Sequence, residues 1–132
     1  ILMANPNIVS VSSIKGESIG EALTTTVTTV IMTVASDKLV KINYIQVAND
    51  SGTAATDVTV AITKADFTSD GVASGDDNAG VAFLASTISC PADDVLIVLD
   101  KPIYLMEGDN LEAGANPATA DLFISYEVID DA

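Results

Sequence analysis

The sequence predicts an all-β, single-domain antiparallel β-sandwich, jelly-roll-like, with about seven to nine short strands and an extended N-terminal arm. Three observations lead there. Apolar residues make up 48% of the 132-residue chain while aromatic residues make up only 5%. The apolar content is Val, Ile, Leu and Ala, and Val, Ile and the many Thr are β-branched residues that suit a pleated surface. Short runs of alternating polarity are separated by turn clusters at intervals of roughly 10 to 15 residues. No linker divides the chain, so residues 25–132 read as one β-sandwich domain. Residues 1–24, with few strong turn signals, read as an arm able to lie on a neighbour.

The elements follow in order. Ile1-Leu2-Met3 reads as if Met3 were the natural initiator, and no basic region followed by an apolar stretch suggests a secretory leader. Glu17 to Leu23 is the one helix-like piece, with Ser18 and Glu21 spaced as a capping box. Thr24-Thr25-Thr26 follows at once and limits it to a turn or two. Val27 to Ala35 alternates Thr with Val, Ile and Met, and Asp37-Lys38 turns the chain. Leu39 to Val47 is a second run, ended by Asn49-Asp50-Ser51-Gly52. Val58, Val60 and Ile62 alternate with Thr59, Ala61 and Thr63, the period of a half-buried strand. The Thr and Ala face suits solvent, a second layer or a neighbouring subunit. Asp66 to Gly80 is a polar loop and Val81 to Ile88 another strand. Cys90-Pro91-Ala92-Asp93-Asp94 turns again. Val95 to Leu99 is apolar without a break, which predicts a central strand covered on both faces. Pro102 ends that pairing or marks an edge. Ile103 to Met106 resumes, and Glu107-Gly108-Asp109-Asn110 is a tight turn whose Gly takes a positive φ. A final strand alternates Leu122, Ile124, Tyr126 and Val128 with Phe123, Ser125 and Glu127.

Charge narrows the function classes. Nineteen acidic residues against five basic ones give a net charge of −14. All five basic residues are Lys, and there is no His. Without His there is no Ser-His-Asp or Cys-His machinery and no imidazole metal site. Without Arg there is no bidentate phosphate fork. So acidic a chain repels nucleic acid and anionic membranes. No apolar run approaches the roughly 20 residues that span a bilayer. Cys90 is the single cysteine. No intrachain disulfide is possible, and a small buried hydrophobe is the expected role.

One loop has the look of a cation site. Counted from Asp66, oxygen-bearing side chains fall at Asp66, Thr68, Asp70, Ser74 and Asp77, with Gly71 at the sixth position. This is close to a calcium loop, in which a hard cation takes several oxygens on a tight turn. Thr68 and Asp77 depart from that pattern, and the flanks read as strands, so a solvated loop is the competing reading. Ca²⁺ at these five residues is the one cofactor considered. Asp93-Asp94 and Asp130-Asp131 are adjacent carboxylate pairs, which point to opposite faces on a strand and suit turn or terminal roles. No catalytic residue is expected.

Several segments then carry a resemblance. They are Met3-Ala4-Asn5-Pro6-Asn7-Ile8-Val9, Ile42 to Asn49 followed by Asp57-Val58-Thr59-Val60, Ser86 to Asp93, Lys101 to Leu111, and Ser125 to Ile129. Together they resemble small virion proteins of tailed bacteriophages, especially phages of aquatic bacteria. The resemblance covers most of the chain, and its motifs are turns and strands. It implies a non-enzymatic structural component of β-sandwich fold present in many copies. A capsid decoration or cement protein on the outer surface of the head is expected first. A tail or neck accessory protein is the alternative, and a host-surface carbohydrate-binding module, with Phe67 as its loop aromatic, is another. The implied partners are the major capsid protein or other virion proteins and further copies of this chain, a trimer being compatible with capsid threefold positions. Nucleic acid and membrane are not among the expected partners.

Overall fold

The structure is a computed structural model and describes residues 9–65 and 80–130. Among these residues nine strands run β1 (Ser13–Ala22), β2 (Val30–Thr33), β3 (Lys38–Asn49), β4 (Thr56–Thr63), β5 (Val81–Cys90), β6 (Val95–Leu99), β7 (Ile103–Leu105), β8 (Asn110–Asn116) and β9 (Ala120–Asp130). No helix occurs among the described residues. One sheet has the order β1-β9-β3-β6, with β7 also paired to β3. The other has the order β2-β8-β4-β5. All pairings are antiparallel. The chain changes sheet at nearly every connection; only β4 to β5 and β6 to β7 stay within one. β6 and β7 act as one edge strand broken around Pro102. Two four-stranded layers wound by crossing connections form a jelly roll, and the expected β-sandwich stands.

Alternation explains the core. On β3 the side chains of Val40, Ile42, Ile45 and Val47 point inward, and a register shift between Ile42 and Tyr44 restores the phase. Leu122 and Ile124 of β9 join them. Val58, Val60 and Ile62 of β4 face them from the other sheet with Leu111, Ala113 and Ala115 of β8. Cys90 is buried and free, as expected of a small hydrophobe.

Three expectations change. Ser13–Ala22, assigned to an arm ending at residue 24, is an edge strand paired with β9 along its whole length, so this part of the segment belongs to the sandwich. The helix-like piece from Glu17 to Leu23 lies mostly in that strand, because one turn of helix is costly to nucleate and a ten-residue ladder is not. Val95–Leu99 is an edge strand, not a central one, and Val95 and Ile97 are exposed. Elsewhere the turn readings hold. Gly108 takes φ 85°, and its turn joins the two sheets. β8 was not foreseen. Its Gly114 is dictated by packing, since a Cβ there would lie 2.7 Å from the Val27 Cα.

Buried polar groups fasten opposite ends of the sandwich. Asn49 is 2% exposed; its Nδ2 donates to the carbonyls of Ala54, Cys90 and Pro91, and its Oδ1 accepts from the Ser51 amide and the Thr119 hydroxyl. Asp109 is fully buried. Its carboxylate accepts from the Ala65 amide at 3.0 Å, the Met106 amide at 2.9 Å and Lys64 Nζ at 2.7 Å. A buried carboxylate is tolerable only with such partners.

Candidate functional site

Two surfaces stand out: a groove on the open side of the sandwich and the outer face of the five-stranded sheet. β1 and β2 are edge strands of different sheets, and between them lies a groove of about 310 Å³. Its apolar floor includes Met32, Val40 and Val128. Two polar pairs cross it. Lys38 pairs with Asp130, and Tyr126 hydrogen-bonds the Glu17 carboxylate. Burial first, then the hydrogen bond and charge of Glu17, push the Tyr126 hydroxyl above the ordinary phenol value.

The outer face follows from register. Residues paired across an antiparallel sheet share a face. Ile97 pairs with Gln46, Gln46 with Phe123, and Phe123 with Gly20. Val47 and Leu122 beside them point into the core, so this row points out. Tyr44, Ser125 and Ser18 form the next row. Tyr44 donates its hydroxyl to Gln46 Oε1 at 2.8 Å, fixing both side chains on the face. The ring of Phe123 leans over Gly20, where a Cβ would sit 4.0 Å from Phe123 Cδ1. β1 sends Ile14, Gly16, Ser18, Gly20 and Ala22 to this face and Lys15, Glu17, Ile19 and Glu21 to the other. The result is a field that is uncharged around Gln46, Phe123, Tyr44 and Ser125, with Asp121 at one border and Lys41 and Glu127 at the other. Ile97 (56%), Val95 (47%) and Phe123 (42%) stand in it exposed.

The sequence-derived sites distribute as follows. Asp66, Thr68, Asp70, Ser74 and Asp77, and Phe67 with them, lie outside the described residues. Among the described residues no group of three or more His, Cys, Asp or Glu is placed to hold a metal ion. Asp93 and Asp94 form a turn: Asp93 takes φ 58° and donates its amide to the Ser51 carbonyl, and Asp94 accepts from the Val95 amide. Asp130 is paired with Lys38 across β9 and β3, while Asp131 lies outside the described residues. The Thr59 and Ala61 face of β4 points away from the core yet is buried, covered by its own chain. Thr59 accepts there from the Thr87 amide. The field around Phe123 and Ile97 was missed. Its signal was the unbroken apolar run of β6, half of which has no core to enter.

Comparison with known protein families, with curated proteins and with solved structures finds no match to this chain.

Proposed function

We propose that this chain is a non-enzymatic structural protein of a tailed-phage virion, a decoration or cement protein on the outer surface of the head. The reading is carried by the outer face of the five-stranded sheet, whose centre is uncharged and on which Ile14, Val95, Ile97, Tyr104 and Phe123 stand exposed. An exposed apolar field on a chain of net charge −14 is a surface suited to permanent contact. Jelly rolls serve viral shells and lectins alike, so the fold by itself does not choose between them. The resemblance of its turn and strand motifs to those of small phage virion proteins favours the shell. The acidic remainder suits an outward surface that resists aggregation and keeps clear of packaged nucleic acid. Copies of the chain associate with one another on the shell, a trimer fitting its threefold positions.

Purified particles from infected cells test the proposal. The chain should be present in many copies, and particles stripped of it should release their DNA at a lower temperature. Adding the recombinant chain back should restore the lost resistance. Absence of the chain from purified particles contradicts the proposal.

A further inference from the structure

Resting on the virion reading, we propose that the outer face of the five-stranded sheet is the docking surface, and that its partner is a protein surface with an apolar centre and a lysine- or arginine-rich rim. The centre of the face is Ile97, Gln46, Tyr44 and Phe123, bordered by Ser18 and Gly20 of β1. None of these carries a charge. An interface core is depleted of charge and enriched in aromatic side chains, and its rim is polar. Here the rim is acidic. Asp121 shares the outward row of Val95 and Ala48, and Asp94 and Asp100 flank β6 at its two ends. All three are exposed. Lys41 and Glu127 lie opposite each other in register at the far end and offset one another.

This arrangement selects between occupants. A second copy turned onto the same face would bring the same apolar centre but also the same three carboxylates, on a chain already at −14. Like charges facing each other across an interface oppose that pairing. A basic rim meets the carboxylates favourably, steers the encounter and leaves the apolar centre to hold the complex. Flatness points the same way. Gly16 and Gly20 leave two positions of β1 without a side chain beside the small Ser18, and a Cβ at Gly16 would meet nothing within 4 Å. A broad partner surface can therefore lie against the sheet without a pocket.

The test adds recombinant chain to particles from which it has been removed. Wild type is compared with Phe123→Ser/Ile97→Ser and with Asp94→Asn/Asp121→Asn. A photo-cross-linking residue at position 97 reports the contact. Loss of the apolar pair should weaken rebinding by at least ~30-fold, the scale of an interface hot spot. Loss of the carboxylates should weaken it about 3- to 10-fold at low salt and flatten its salt dependence. Melting temperatures of the variants in the free state keep a folding defect from passing as a docking defect. Cross-links should run to another virion protein, on peptides bearing Lys or Arg. Equal rebinding of all three forms, or cross-links solely to a second copy of this chain, overturns the docking surface and leaves the virion reading standing. Absence of the chain from untreated particles overturns both.

Discussion

The two faces of the five-stranded sheet are built from the same strands to opposite ends. Inward, β3 and β9 place Val40, Ile42, Ile45, Val47, Leu122 and Ile124, all buried against the second sheet. Outward, β1, β9, β3 and β6 place Gly20, Phe123, Gln46 and Ile97 in one row, flat and open. The inward side chains fill the core, whereas Phe123 and Ile97 of the outward row stand exposed. Apolar content alone does not distinguish them, since Ile45 and Ile97 are the same residue type in adjacent strands. What separates them is whether a second layer lies opposite.

That contrast is open to breaking by substitution. Ile45→Ala should cost about 2–5 kcal/mol, because the lost contacts leave a cavity in a filled layer. Chemical denaturation measures it, and a cost below about 1 kcal/mol would show that the inward face is loosely packed. Asn49→Ala should cost about 2–3 kcal/mol by leaving buried carbonyls without their donor. Thermal melting should show a fall of roughly 6–12 °C for a domain of this size. Gly114→Ala should cost about 1–3 kcal/mol, since the new methyl meets the Val27 backbone on the far side of the second sheet.

Smaller effects sharpen the boundary between the faces. Tyr126 sits where the inward layer opens into the groove, and its folded hydroxyl titrates above the ordinary phenol value of 10.0. The folded state thus favours the neutral phenol. That contribution is complete below pH 10.0 and is lost as the pH rises through the raised folded value. Melting curves taken across that range should fall more steeply for wild type than for Tyr126→Phe. Ile97→Ala should change stability by less than about 0.5 kcal/mol, the usual range for a surface position. A larger loss would mean that the outward face also carries the fold.

Legibility followed side-chain size. β3, β4 and β9 were plain because apolar residues recur between Lys, Asn and Gln on β3, alternate with Thr and Ala on β4, and alternate with Ser and Glu on β9. β8 was hidden because Leu111-Glu112-Ala113-Gly114-Ala115 holds no β-branched residue; it is a strand because small side chains let the Val27 loop close over it. β1 was hidden because its alternation sets small against charged residues, Gly16, Ser18 and Gly20 against Lys15, Glu17 and Glu21, with little apolar signal on either side. β6 was visible as a strand but was assigned to the centre of a sheet. A continuous apolar run reads as burial on both faces, and nothing local tells burial by the same chain from burial by a partner. Asn49 and Asp109 read as turn residues, and their fastening roles depend on Ala54, Cys90, Thr119, Lys64 and Ala65, which only the folded topology brings near.

A cryo-electron microscopy map of the intact particle tests the central claim most directly. The account predicts jelly-roll density repeated on the outer shell, with the row Gly20, Phe123, Gln46 and Ile97 turned toward the shell and the four-stranded sheet turned outward. A particle with no such density, or one in which that row faces open solvent, would contradict it.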